Sequence, residues 1–400
     1  MSPEKAVTAR ELAIKELPRI IQGEIRASAD GRFKGGLFTR DASYFGLQTL
    51  DKPQNGEISI IMDGLKTSLR EIASHQGTKF DPATAEEPFK MPHEKHGRDA
   101  DQNHVSKSSL ANWVEDHFEL INYLSDDATP LWICLFGKYL SVTNDSQFRD
   151  ELFPNFEKAL RWLNKFNTGL IFSSGNHGWK DSGDAFVKED GTYPKYPIAL
   201  LDVNCFAYLA NLSAAEIYES ITDQAKAGFL RKKAIVQQRL INKLFWVEDM
   251  KLFAPAIDAS WKPIKITTSD SAIALWSGVV DWDKQAVVAQ RLLDGDLFIE
   301  SRGLRTRSTL SSQYNPKKYQ NGNVWNQLAP IAALACEKTS LFDEAEKFDA
   351  CISTIAKEGF KELDGVDLNG NTFPYTEEDR EVACKGQTWV IGGVLGRTLL

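Results

Sequence analysis

Along most of the chain the apolar residues recur at intervals near 3.6 rather than 2, the spacing of amphipathic helices and not of half-buried strands. In KKAIVQQRLINKLFWV, Val236, Leu240 and Leu244 fall on one helical face, with Ile241 and Phe245 beside them. The same pattern predicts helices over 2–27, 56–75, 128–143, 147–166, 198–219, 222–247, 270–295, 322–337, 342–357 and 386–399. Strand alternation is scarce. The connections carry Gly, Pro, Asn and Asp, and five are long: 29–41, 76–112, 169–196, 297–321 and 359–385. Long connections in a compact domain are commonly functional, and these hold much of the Trp, His, Asp and Glu that falls outside the helices. The expectation is an all-α helical toroid of inner and outer helices, with one face built from loops. No fixed repeat length and no composition break appears, so 1–400 reads as a single domain.

Composition narrows the function. With 42% hydrophobic and 26% charged residues the 400-residue chain is an ordinary globular protein, long enough for a large core. A net charge of -8 without a basic stripe argues against a nucleic-acid partner. Cys134, Cys205, Cys336, Cys351 and Cys384 are odd in number and lack CxxC spacing, which points to buried free thiols. The charged N-terminus is no signal peptide, and no apolar run approaches the roughly 20 residues that span a bilayer, so a cytoplasmic location without membrane contact is expected. HEKH at 93–96 spaces its histidines by three, which is not the HExxH of zinc hydrolases. Neither a metal nor an organic cofactor is implied.

The stretch SSGNHGWKDSGDAF, 173–186, sets Trp179, Lys180, Asp181 and Asp184 on a Gly-punctuated connection. Alone it also reads as a turn whose aspartates cap the next helix. Its company adds to it: FTRDASYFGLQTL at 38–50, KMPHEKHG at 90–97, DDATPLW at 126–132, YPIALLDVNCFAYLANLSAAEIY at 196–218, GLRTRSTLSSQYNPKKYQNGNVW at 303–325, GFKELDG at 359–365 and CKGQTW at 384–389. In this order the segments resemble those of amylo-alpha-1,6-glucosidase, or glycogen-debranching-like, catalytic domains, which are inverting glycoside hydrolases built as (α/α)6 barrels. The resemblance runs through most of the chain. It implies hydrolysis of an alpha-linked glucoside or short alpha-gluco-oligosaccharide, with small carbohydrates as partners.

Inversion needs a protonated carboxyl beside the leaving oxygen and a carboxylate holding water on the opposite ring face, about 6.5–9.5 Å away. The resemblance makes Asp181 the general acid, with Trp179 as the apolar wall that keeps it protonated. Lys180 and Asp184 pull its pKa in opposite directions, and Asp184 either orients the site, binds sugar hydroxyls or caps a helix. Alignment of GFKELDG nominates Glu362 as the general base, although Lys361 stands where the family has Pro. Glu377, Glu378 and Glu381 are its rivals. Arg40 and Asp41 match the Arg-Asp pair expected to hold the nonreducing-end sugar. His93, Glu94, Arg305, Tyr319, Trp325, Gln387 and Trp389 match further motif positions expected along the site, where polar groups and aromatic platforms meet sugar. Asn326, Gln327, Ser301 and Arg302 depart from the family pattern, so a different acceptor side is expected. The alternatives are another (α/α)6 sugar enzyme, invertase-like or an epimerase, or a noncatalytic carbohydrate-binding relative.

Overall fold

In the computed structural model, which describes residues 7–51, 58–97, 120–166, 168–377 and 380–398, the helical periodicity resolves into two kinds of helix. In chain order the helices among the described residues are α1 (Ala9–Ile20), α2 (Thr39–Thr49), α3 (Ile58–Ser74), α4 (Ala128–Thr143), α5 (Ser146–Asn164), α6 (Leu201–Ser220), α7 (Gln224–Leu244), α8 (Ser271–Ser277), α9 (Trp282–Leu292), α10 (Leu328–Lys338), α11 (Phe342–Asp349), α12 (Ile352–Lys357) and α13 (Thr388–Arg397). Helices α2, α8 and α13 are buried at every residue, and α4, α6 and α10 along most of their length. Each of these six packs on two others in the order α2, α4, α6, α8, α10, α13 and back to α2, which closes a ring. Outside it, α1 packs on α13, α3 against α2 and α4, α5 on α4, α7 on α6, α9 on α8 and α11 on α10. The fold is an (α/α)6 barrel.

The division follows from sequence. A helix hydrophobic all round has to be enclosed, whereas a one-sided helix covers it and faces water. The outer helix α7 buries Ala227, Leu230, Ala234, Gln237 and Ile241. This turns the stripe by one position from the Val236–Leu240–Leu244 face expected, and Val236 is half exposed. Local signals set the helix ends. Thr8 and Glu11 form a reciprocal capping box at α1, Asp145 caps α5, and Asp223 caps α7.

Several predicted boundaries are corrected. The helix expected over 2–27 ends at Ile20 and turns through Gly23 into a short hairpin, and residues 1–6 lie outside the described part. That expected over 270–295 breaks at Gly278, whose φ of 75° ends α8 in the left-handed region. That over 342–357 divides between α11 and α12, and that over 322–337 begins as the strand Val324–Trp325 before α10. Helix α2 was not among the expected ones.

Short strands tie the loops of the site together. Leu37–Phe38, Glu94–His96 and Leu120–Asn122 form one antiparallel sheet, in which Glu94 faces Phe38 and Asn122. Val324–Trp325 pairs with Leu363–Val366, setting Trp325 opposite Leu363. All five cysteines are buried and unpaired, and no helix among the described residues is long and apolar enough to cross a membrane.

Candidate active site

The inner helices begin with acids or amides. Asp41 and Asp202 lie in the first turns of α2 and α6, Asp127 and Asp270 at the N-caps of α4 and α8, and Gln327 and Gln387 at those of α10 and α13. Helix N-termini carry partial positive charge and suit anions and oxygen-rich ligands. A cavity of about 600 Å³ opens there. Of the expected residues, Arg40, Asp41, His93, Glu94, Trp179, Asp181, Tyr319, Trp325, Glu362, Gln387 and Trp389 line it.

Asp181 projects from the 173–186 connection with 47% of its side-chain surface open. The surrounding walls nevertheless raise its pKa, because they displace the water that would solvate the anion; Arg40 and Arg32 oppose this shift. Arg40 Nη1 lies 3.6 Å from Asp181 Oδ2. Arg40 is itself held by a two-point pair with Asp127, Nε to Oδ2 at 2.6 Å and Nη2 to Oδ1 at 3.1 Å. It also donates to the Gly178 carbonyl at 2.7 Å, so it fixes the chain entering the Trp179–Asp181 step.

Glu362 is 1% exposed. Its backbone N–H donates to the Cys384 carbonyl at 2.8 Å, and its carbonyl accepts from Asn326 N–H at 3.2 Å. Its carboxylate accepts from the Tyr319 hydroxyl and, at 3.5 Å, from Cys384 N–H. Burial pushes its pKa up, while Arg32, Tyr319 and Cys384 favour the ionised form and the charge of Asp181 disfavours it. Asp181 and Glu362 therefore share one cavity and one electrostatic field. Glu381 is exposed outside the cavity lining, Glu378 lies outside the described residues, and Glu377 is described only as part of a short strand.

The aromatic walls are a chain of edge contacts: Trp179 on Trp325 at 5.5 Å, Tyr319 on Trp325 at 5.0 Å, and Trp325 on Trp389 at 5.7 Å. Burial and the neighbouring Arg40 bring the His93 pKa down to about 4, so the ring is neutral at pH 7. His93 Nδ1, Gln387 Oε1 and Trp389 Nε1 are buried without a hydrogen-bond partner. Buried polar atoms are almost always paired, and orphans on a cavity wall suit a hydroxyl-rich ligand. Gln387 Nε2 donates to Asp41 Oδ1 at 2.8 Å. Asp41 thus pairs with an amide and not with Arg40. Glu94 accepts from the Asn122 amide and bonds His96 Nε2 at 2.8 Å. Among the described residues no group of three or more His, Cys, Asp or Glu is placed to hold a metal ion.

Three expected residues stand outside the cavity lining. Lys180 turns beneath the floor, where Nζ donates to Asp270 Oδ2 at 2.6 Å and to the Thr306 carbonyl at 2.9 Å. The cations acting on Asp181 are Arg40 and Arg32 instead of Lys180. Asp184 sits 3.8 Å from Lys318 Nζ, and its carbonyl accepts from Asn321. Arg305 spends its guanidinium on the Val366 and Asp367 carbonyls and the Tyr314 hydroxyl, each at 2.7 Å, bracing two loops. Asn326, expected near the acceptor side, donates to the Lys361 carbonyl and Asp364 and so braces the strand that follows Glu362.

Sequence reading missed Arg32, Asn122, His177, Tyr196 and Gln320 on the wall. It also missed Asp127, Asp202 and Asp270 under the floor. Asp202 Oδ2 accepts from Trp179 N–H at 2.7 Å, and Asp270 Oδ1 from Trp179 Nε1 at 2.6 Å. A signal existed for these three: each opens an otherwise apolar helix, in DDATPLW, LLDVNCF and TTSDSAIALW.

A helical barrel with a carboxylate-bearing, aromatic-walled cavity at the N-termini of its inner helices has the fold and the site chemistry of a carbohydrate-active (α/α)6 protein. The mannosylglycerate hydrolase MGH1-like glycoside hydrolase domain family matches residues 128–363, more than half of the chain, and the chain belongs to that family. Among solved structures, GH63 mannosylglycerate hydrolase from Thermus thermophilus in complex with Tris and D-glycerate superposes with a TM-score of 0.71 at 13% identity, covering 97% of this chain and 99% of that one. The same enzyme in complex with glucose gives 0.68 at 14%, covering 98% and 99%. A glycosidase variant in complex with glucose gives 0.60 at 11%, covering 97% and 95%. A search of curated proteins finds no match.

Proposed function

We propose that the chain is an inverting hydrolase of short alpha-linked hexosides, with glucose as the first candidate for the nonreducing sugar, Asp181 as general acid and Glu362 as general base. The observation that carries this reading is the pair itself. Two carboxyl groups from distant segments line one cavity, and their settings differ. Burial raises the pKa of both groups, but Glu362 accepts hydrogen bonds from Tyr319 and Cys384, which oppose that rise and favour a carboxylate able to take a proton. Asp181 has the Gln320 amide at 3.5 Å and the Arg40 guanidinium at 3.6 Å, while its walls favour the protonated form.

In the reaction the Asp181 carboxyl gives its proton to the glycosidic oxygen as the bond from that oxygen to the anomeric carbon breaks. Water attacks that carbon from the opposite face and loses a proton to Glu362, yielding the beta anomer and a free alcohol. Both carboxyl groups then return to their starting states by exchange with solvent. Arg40, Asp41, His93, Gln387 and Trp389 are the groups assigned to the sugar, His93 as a neutral partner for a hydroxyl.

The cavity volume suits a disaccharide-sized ligand better than a long polysaccharide. The complexes of the Thermus thermophilus enzyme with D-glycerate and with glucose are the reason to try alpha-glucosylglycerate and alpha-mannosylglycerate first. The test is a hydrolysis screen of these two with maltose, isomaltose, kojibiose, trehalose, sucrose and limit dextrin. Turnover of one short alpha-hexoside far above the rest supports the reading. Preference for limit dextrin would shift it to debranching, and turnover of none would leave the noncatalytic carbohydrate-binding alternative.

A further inference from the structure

The two carboxyl groups of the site are held by consecutive residues of one segment. Tyr319 donates its hydroxyl to Glu362. Gln320 grips the chain on both sides of Asp181: its amide nitrogen donates to the Trp179 carbonyl at 2.9 Å, and its amide oxygen accepts from Ser182 N–H at 2.9 Å. The same amide nitrogen lies 3.5 Å from Asp181 Oδ1. Gln320 is 1% exposed, so this amide has little water to compete with.

The segment that carries them is fixed in turn. The Tyr319 carbonyl accepts from Asn323 Nδ2 at 2.6 Å and from Trp325 Nε1 at 2.9 Å. Asn321 continues the grip by donating to the Asp184 carbonyl at 2.9 Å, and its own carbonyl accepts from Asn315 N–H at 2.7 Å. Gly322, with φ of 145°, lies so close to Tyr314 that a Cβ would sit 2.5 Å from its ring. The chain therefore passes the site in one closely fitted conformation.

We propose that Tyr319 and Gln320 are positioning residues that act as a pair, a rigid yoke that sets the acid loop and the base at a fixed separation across the bound sugar. This assignment rests on the roles given above to Asp181 and Glu362. An acid and a base on opposite ring faces must both lie in place in one transition state, and a displacement of about 1 Å in such a site can cost about a hundredfold in rate. Holding both from one dipeptide links their positions directly instead of through the barrel.

The test compares an unactivated substrate, alpha-glucosylglycerate or the hexoside that the screen selects, with the fluoride of the same sugar, whose leaving group needs little protonation. Gln320→Leu removes the grip on the acid loop. It is expected to lower kcat on the unactivated substrate by about ten- to a hundredfold, and on the fluoride several-fold less. Tyr319→Phe removes a donor to the Glu362 carboxylate and is expected to slow both substrates alike and move the low-pH limb of kcat/KM upward. Equal, small losses for Gln320→Leu on both substrates, or an unmoved low-pH limb for Tyr319→Phe, would overturn the yoke.

Should Gln320→Leu not fold, Gln320→Glu keeps the acceptor for Ser182 and sets a carboxylate beside Asp181, among Arg40, Arg32, Asp127 and Glu362. The high-pH limb is then expected to rise, because a second anion disfavours ionised Asp181, and an unmoved limb overturns the proposal. Asp181→Asn separates this from the underlying assignment. Full activity in that variant removes the acid role and the yoke with it. Loss of activity there, with unremarkable Gln320 variants, removes the yoke alone.

Discussion

At the residue scale, the site works through neighbours that tune two carboxyl groups. Arg32 stands with its guanidinium 4.8 Å from the centre of the Tyr319 ring, and its charge lowers the pKa of both Asp181 and Glu362. Removing that charge disfavours both anions. For Arg32→Gln, the pH profile of kcat/KM is therefore expected to move to higher pH at both limbs: the low-pH limb because Glu362, as the proposed base, has to ionise, the high-pH limb because Asp181, as the proposed acid, has to stay protonated. A shift of one limb alone would show that Arg32 acts on one carboxyl only. Beneath the floor, Lys180 and Asp270 form a buried ion pair, and Lys180→Met removes the partner of Asp270 Oδ2. A loss of about 3–5 kcal/mol in stability is expected by urea denaturation. The motif residues were legible because they are chemically distinctive on glycine-rich connections. What was not legible is which neighbour each one faces: Lys180 precedes Asp181 directly yet turns to Asp270, and a cation at Asp181 comes from Arg40, far away in sequence.

Helices read well from sequence where their apolar residues run on or repeat along one face, and poorly where polar residues interrupt the pattern. Helix α4 spans Ala128–Thr143, the 128–143 predicted, because an apolar run of that length is unambiguous. Helix α2 was missed because Arg40, Asp41, Ser43, Gln48 and Thr49 interrupt its apolar pattern, although every one is buried in the ring. Their polar groups are enclosed between helices: Gln48 Nε2 donates to the Trp389 carbonyl of α13 at 3.0 Å. The contact between α2 and α13 is close because α13 offers glycines there. A Cβ on Gly392 would lie 2.8 Å from the Phe45 Cα, and one on Gly396 2.6 Å from the Gln48 carbonyl oxygen. Gly392→Ala is accordingly expected to force the two helices apart and cost about 1–3 kcal/mol in urea denaturation, despite the better helix propensity of Ala. Unchanged or higher stability would show that this junction of the ring has slack.

At the scale of the whole molecule, the barrel gathers Asp127, Asp202 and Asp270 at the N-termini of inner helices beneath the cavity, and this has a consequence for stability. Burial, with Asp127 and Asp270 nearby, raises the pKa of Asp202 to about 7, against the pull of Trp179 N–H and Arg40. Between about pH 4 and pH 7 the unfolded chain has this group ionised while the folded chain keeps it protonated, so its contribution to stability declines as pH rises through that window. The Tm of Asp202→Asn minus that of the wild type is expected to grow more favourable from about pH 4 to pH 7 and to level off above. A difference constant with pH would place the Asp202 pKa in the ordinary carboxylate range. The alternation of connections and helices made the toroid legible, but ring closure is a property of contacts between helices remote in sequence, and nothing in the local pattern shows it. The central claim, that Asp181 and Glu362 act from opposite faces of an alpha-linked sugar, is tested most directly by proton NMR of the sugar first released from the preferred substrate. The beta anomer is predicted at early times, with release lost in Glu362→Gln. The alpha anomer appearing first, or undiminished release by Glu362→Gln, would contradict it.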